Sequence, residues 1–401
     1  MHIAYFNYLY DLYGVSVGSA IKAMELMTAM RGAGHEVDVY WRKEGEGKPG
    51  RNGSGLRAVL KSRLARYLHE PSQLLRGMSY WRQEKKILRR SMPDILIARL
   101  ETYIFSPVCL ARRYHLPFIV EADSPVAYEL AHFDENYLKN AALVRYLENM
   151  WLNRSDRIFC VSRILKDYFV RRGIPDQKIS VITNGADVRR FHPGIACEDI
   201  LGKYHLKDKR VIGFVGSFHY WHGVNHLIEV MDAVLTQYPD AAFLLVGEGG
   251  PSRPVLEQYI RDHRHQSRII LTGGVDHDRV PAYINAMDVV LAPYPPLDFF
   301  YYSPVKVYEY MACGRAVVTS AIGQLETLIR HGETGMLVPP GDIRALIQAV
   351  HTLMDNPEHR KSMGEAAHRY IASCHTWTHK AAALDQLCGT VLAAHHARGE
   401  R

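Results

Sequence analysis

The sequence predicts an α/β protein made of two doubly wound parallel-sheet domains that face one another across a cleft. Three observations carry this expectation. The chain has 401 residues, enough for two cores of ordinary size rather than one very large one. Short apolar runs alternate with stretches of helical period, the βαβ pattern of a parallel sheet. The alternation stops once, at "TNGADVRRFHPG", where turn residues replace any apolar period, and then begins again.

The elements follow in order. "HIAYF" opens the chain as a strand, a Gly-containing loop follows, and Ala20, Ala23, Met27 and Met30 mark one helical face before "HEVDVYW" starts a second strand. "DILIA", "PFIVEA", "RIFCVS" and "ISVIT" complete the first series, each separated from the next by helical sequence. "RVIGFVGS", "AAFLLVGEG", "RIILTGG", "DVVLAPY", "RAVVTS" and "GMLVPP" form the second. The boundary is therefore expected near residues 184–200. Ligands of such sheets bind at the C-terminal ends of the strands.

Composition narrows the class. Hydrophobic residues at 47% and charged residues at 23% are ordinary globular values and exclude a disordered or fibrous chain. No run approaches the roughly eighteen apolar residues of a membrane span, and "MHIAYFNYLYDLYG" lacks the features of a signal peptide, so a cytoplasmic address is expected. The six cysteines have no CxxC spacing and read as reduced, mostly buried thiols. Of the net charge of +7, residues 51–90 hold a local +9, with eleven Lys or Arg against two Glu. Leu56, Leu60, Leu64 and Leu68 repeat there among Arg57, Lys61, Arg63 and Arg66, an amphipathic helix with a basic flank. Such a helix either covers a core with its outer face solvated or brings the protein to an anionic membrane surface, at the inner face of the membrane. No nucleic-acid partner is expected.

The most informative stretch is "SPVKVYEYMACGRAVV", residues 303–318. Ser303 suits an N-cap, and Pro304 suits the first helical position because its missing N–H would have had no intrahelical partner. The free backbone N–H groups of that turn make an anion site to which Lys306 adds a full charge. Phosphate is the natural ligand. Glu309, three residues on, lies about one turn deeper on the same face. A carboxylate there repels phosphate but accepts two hydrogen bonds from a diol such as ribose. Gly314 then ends the helix as its C′ residue. Spacing alone, however, favours the plainer arrangement of a Lys and a Glu paired along an exposed helix.

That stretch, followed by "GQLETLIRHGETGMLVPPGD", resembles the nucleotide-sugar half of the retaining GT-B glycosyltransferases called family 4. "VGSAIKAMELMTAMRGAGHEVDVYW", "FCVSRILKDYFVRRGIPDQKISVITNGADVRRFHP", "IGFVGSFHYWHGVNHLIEVM" and "FLLVGEGG" agree in order, with the likeness weakest from about residue 42 to 115. The resemblance implies the GT-B fold: two Rossmann-like domains, residues 1–190 on the acceptor side and 191–372 on the nucleotide-sugar side, and a closing helix in 373–401 that returns to the first. It implies transfer of a sugar, of hexosyltransferase type, from a nucleoside-diphosphate donor, UDP by family habit, to a hydroxyl acceptor that is a glycan, lipid-linked or a small molecule. It places the nucleotide and diphosphate on Gly216, Ser217, His222, Gly247, Ser303, Pro304, Val305 and Glu309, and the sugar or acceptor near Gly14, Gly18 and Tyr301. Lys306, Glu121 and Asp123 are the expected catalytic group, although either carboxylate equally suits a helix cap.

Departures from the family pattern are specific. Tyr301 stands where the family has a second Glu, and Ser217 and His222 stand where it has an Arg and a Lys on the diphosphate. Lys306 is then expected to carry that charge nearly alone, with His222 donating a hydrogen bond or merely packing. "DHD" at 276–278 has the spacing of a metal-binding DxD, but Asp278 precedes a helical stretch that it could cap, and a helix-terminus phosphate site needs no metal. His219 and His222 have no evident further zinc ligand, and neither Gly14 with Gly18 nor "GEGG" has a dinucleotide fingerprint, so a nicotinamide dehydrogenase is poorly supported. The sequence thus reads as a retaining, metal-independent glycosyltransferase without a cofactor. A catalytically silent nucleotide-sugar binding protein is the alternative.

Overall fold

The computed structural model describes residues 1–8, 17–41, 56–132 and 140–399, with the side chains of all of these except 17 and 56–69. Twelve strands among them form two six-stranded parallel sheets. The first contains β1 (His2–Asn7), β2 (Glu36–Trp41), β3 (Ile95–Arg99), β4 (Phe118–Ala122), β5 (Arg157–Cys160) and β6 (Ile179–Val181), in the order β2-β1-β3-β4-β5-β6. The second contains β7 (Arg210–Val215), β8 (Ala241–Val246), β9 (Ile269–Leu271), β10 (Val289–Ala292), β11 (Ala316–Ser320) and β12 (Met336–Val338), in the order β12-β11-β10-β7-β8-β9. Every expected strand is present.

Contacts divide the chain into two units, with the division between Thr183 and Asn184, at the early edge of the expected boundary. The closing helix Trp377–Gly399 changes unit between Lys380 and Ala381, later than residue 373. Within the first unit that helix meets His35 through Asp385 at 3.0 Å and Asp156 through Arg398 at 3.3 Å.

Both faces of the second sheet are covered, as continuous apolar strands require. Val211, Leu244, Val290 and Val317 point into one core, which the helix Val305–Ala312 joins with Val307, Tyr308, Tyr310 and Met311. Ile212, Phe243, Leu291 and Val318 point into the other, which the helix Val224–Gln237 joins with Leu227, Val230, Met231 and Val234. Side-chain alternation along each strand assigns its residues to the two cores.

The basic segment becomes the helix Leu56–Arg90, with Pro71 inside it. The side chains of its Leu repeat and of Arg57, Lys61, Arg63 and Arg66 lie outside the described set, as does Gly14. No described helix is long and apolar enough to cross a membrane. All six cysteines are free; Cys160, Cys313 and Cys388 are buried, while Cys374 is exposed.

One cluster of four ionic groups is enclosed among the described residues of the first unit. Lys22, from the helix Val17–Gly32, meets Glu121 at 2.5 Å and also Asp123, and Arg99 meets Asp123 at 2.6 Å. Tyr5 donates its hydroxyl proton to Glu121. Burial alone would push the Lys22 ammonium down, but Asp123 and Glu121 outweigh it and hold the pKa up. Burial likewise works to raise Asp123, and Lys22 with Arg99 overcomes it and holds the carboxyl below its usual range. Removing one partner of such a buried group leaves charge uncompensated. Lys22→Met should therefore destabilise the first unit by about 3–5 kcal/mol, measured as a lowered urea midpoint in circular dichroism.

Candidate active site

The order of the second sheet places its topological switch between β7 and β10, where chain connections leave in opposite directions and ligands of open α/β sheets bind. β7 runs out into Gly216 and Ser217, and β8 into Gly247. Gly216 donates its N–H to Val246 O at 2.9 Å with φ at 142°, and Gly247 has φ at 145°. Both backbones approach their neighbours too closely for a side chain. A Cβ on Gly247 would sit 2.1 Å from Gly216 O, and one on Gly216 would sit 2.6 Å from Lys306 Nζ. Gly216 makes the space into which the lysine reaches, and Gly247 makes room for the Gly216 backbone.

Lys306 arrives on the helix Val305–Ala312, whose N-cap is Pro304 rather than the expected Ser303. The reason is a competing contact. Ser303 Oγ accepts the Asn184 backbone N–H at 3.1 Å, and the Asn184 side chain donates to Ser303 O, so the serine ties chain to chain and caps nothing. The other helix end is as expected. Gly314, at φ 65°, donates to Met311 O at 3.0 Å, and Arg315 donates to Tyr310 O at 3.1 Å, the two bonds of a Schellman motif.

The side chains of Lys306 and Glu309 do not pair along an exposed face. Lys306 Nζ is enclosed, has no hydrogen-bond partner among the described residues, and lies 4.3 Å from the centroid of the Phe214 ring. Burial pushes its pKa down to about 7 against the opposing pull of Glu309. An amine in this position is poised to gain charge when an anion enters. Glu309 is buried and accepts from His277 Nε2 at 2.8 Å.

The neighbouring loop behaves differently from expectation. His222 donates from Nδ1 to Ser217 O at 2.7 Å, since a carbonyl only accepts. Burial, then Lys306, holds its pKa well below the usual imidazole value. The neutral ring therefore presents Nε2 as an acceptor, not as the donor expected for a diphosphate. His219 Nδ1 lies 3.0 Å from Ser217 Oγ, and its ring stacks on Trp221 at 4.2 Å. Tyr301 is buried, with its ring 4.2 Å from that of Tyr302. Among the described residues no group of three or more His, Cys, Asp or Glu is arranged to hold a metal.

Asp278 is not a helix cap either. The helix Val280–Asn285 has Arg279 at its N-cap and no side-chain cap bond, and Asp278 instead accepts from Arg190 Nη2 at 2.6 Å. In the first unit, Glu121 lies fully buried on β4 and Asp123 follows it, both ion-paired in the network of Lys22 and Arg99. Gly18 lies in the first turn of the helix Val17–Gly32.

Sequence reasoning missed His277, Arg190 and Phe214. The His of "DHD" was its visible signal, but the flanking carboxylates drew attention to metal binding. It also missed Glu84, a carboxyl near the C-terminal end of β1 that accepts from Tyr8 at 2.9 Å and that burial pushes up to about 8.

Comparison with known proteins accords with this geometry. The family described as Glycosyltransferase Family 4 matches residues 18–190, and Glycosyl transferases group 1 matches residues 209–356. A glycogen synthase of Mycobacterium tuberculosis is 26% identical over 395 residues, covering 94% of this chain and 90% of the relative. An alpha-D-kanosaminyltransferase of Streptomyces kanamyceticus is 31% identical over 189 residues, covering 47% of this chain and 46% of the relative. A solved sucrose-phosphate synthase from Thermosynechococcus elongatus shares the fold with a TM-score of 0.75 at 21% identity, over 98% of this chain and 100% of that one. Anabaena HepE, solved with UDP and glucose, aligns with a TM-score of 0.69 at 15% identity, over 96% and 99%. Twin parallel six-stranded sheets and both family matches lead to one conclusion: the chain is a GT-B glycosyltransferase of the group 1, family 4 type.

Proposed function

We propose that this glycosyltransferase moves a sugar from a nucleoside-diphosphate donor, UDP-linked, to a hydroxyl acceptor with retention of anomeric configuration and without a metal. The observation that carries the reading is the enclosed Lys306 Nζ at the β7/β10 switch, without a hydrogen-bond partner among the described residues and one turn from Glu309. Diphosphate on the helix start at Val305 would meet both the helix dipole and the ammonium, and Glu309 would hold the ribose hydroxyls. Family resemblance and the UDP held by Anabaena HepE support UDP as the carrier.

In the proposed step the bond from the anomeric carbon to the diphosphate oxygen breaks, and its electron pair stays on that oxygen. Lys306 and the helix terminus stabilise this growing charge more than they stabilise the bound donor. The departing phosphate oxygen takes the acceptor hydroxyl's proton, and the acceptor oxygen bonds to the anomeric carbon on the face just vacated. In this proposal Glu121 and Asp123 take no part in the step, a reading supported by their contacts with Lys22, Arg99 and Tyr5.

Lys306→Ala should lower turnover by roughly 10² to 10³, the scale for loss of one preorganised electrostatic group, whereas Glu309→Ala should chiefly raise the dissociation constant for UDP. Steady-state rates and calorimetric titration read these separately, and NMR of the product should show the donor's own anomeric configuration. UDP-sugar bound with no UDP ever released would point instead to the binding protein.

The pKa of about 7 for Lys306 sets a pH dependence. Below that pH the amine already carries its charge and UDP binds at full strength. Above it, binding must take up a proton, so the dissociation constant rises by up to about tenfold per pH unit. Titrations from pH 6 to 9 should show this slope in the native protein and its absence in Lys306→Ala.

A further inference from the structure

The geometry points to His277 as a positioning residue for Glu309, an inference that rests on the ribose-binding role proposed above. Three contacts in one line define it. Arg190 Nη2 donates to Asp278 Oδ1 at 2.6 Å and lies 3.2 Å from His277 Nδ1. His277 Nε2 lies 2.8 Å from Glu309 Oε1. A guanidinium has donors and no acceptor, so Nδ1 facing it is the unprotonated nitrogen. The proton of the neutral ring is therefore on Nε2, aimed at the Glu309 carboxylate. Asp278 holds Arg190, Arg190 selects the tautomer, and the tautomer holds Glu309.

Packing supports the line. The His277 ring lies 5.4 Å from that of Phe191, and the Arg190 guanidinium lies 5.9 Å from the same ring. Glu309 is buried, with its main chain fixed in the helix Val305–Ala312. With Oε1 engaged by His277, the carboxylate is locked about its terminal torsion, which is otherwise broad and nearly two-fold. The oxygen lone pairs not used by His277 then face a diol in one orientation. The "DHD" spacing thus serves a ribose site through its histidine, with the second aspartate acting at one remove.

The distinguishing consequence is selectivity for the ribose, not affinity alone. The test titrates the full chain with UDP and with 2′-deoxy-UDP, in the native form and in His277→Leu, His277→Asn and His277→Gln, each checked for native circular dichroism. Leu removes the donor at similar bulk, Asn is too short to reach Glu309, and Gln carries an N–H near the position of Nε2. The native protein should prefer UDP, and the Leu and Asn variants should lose about tenfold in UDP affinity, the scale of one hydrogen bond to a charged group, with most of the preference. Gln should restore both. Unchanged preference in Leu and Asn, equal loss of both nucleotides, or a Gln variant as poor as Leu would each overturn the positioning role. A native protein that binds UDP and 2′-deoxy-UDP equally would overturn the ribose role of Glu309, and one that binds neither would overturn UDP as the carrier.

Discussion

An enclosed amine with no hydrogen-bond partner among the described residues governs the candidate site in the second unit. Lys306 Nζ lies against the Phe214 ring, in a space kept open because Gly216 has no side chain, while Gly247 lets the Gly216 backbone approach closely. A permanently charged ammonium would be costly there, since the effective penalty of desolvating an ion is several kcal/mol. The displacement of its pKa to about 7 relieves that cost, because the amine sheds its proton near neutrality. The site thus keeps a latent charge that an incoming anion draws out.

The first unit uses the same residue type in the opposite way. Lys22 is as deeply enclosed as Lys306, yet Asp123 and Glu121 hold its pKa up and fix it permanently as a cation. Paired charge of this kind joins the helix Val17–Gly32 to β1, β3 and β4 through Tyr5, Arg99 and Glu121. The two lysines differ because carboxylates pair directly with Lys22, whereas among the described residues none forms an ion pair with Lys306. Glu309, which is near enough to oppose the fall in the Lys306 pKa, is itself held by His277.

Several local readings failed for one physical reason: hydrogen-bonding side chains accept whichever partner the fold brings nearest. Ser303 has an ideal cap composition but meets Asn184, distant in sequence by 119 residues. Asp278 precedes a helix but meets Arg190, 88 residues away. His222 meets a carbonyl five residues back, in keeping with the packing alternative to a diphosphate donor. Cap and motif rules describe what a residue does when nothing stronger competes.

The amino-acid sequence by itself determined the strands and their grouping, because continuous apolar runs of four to eight residues separated by helical period have few other solutions. It also determined the helix bearing Lys306 and Glu309 and its Schellman end at Gly314, since these depend on local spacing and on a residue free to take φ 65°. Tertiary structure decided the charge states and partners: that Lys306 is enclosed while Lys22 is paired, that Glu121 and Asp123 are ion-paired with Lys22 and Arg99, and that His277 meets Glu309. Those outcomes depend on desolvation and on contacts between residues far apart in the chain, which no local pattern encodes.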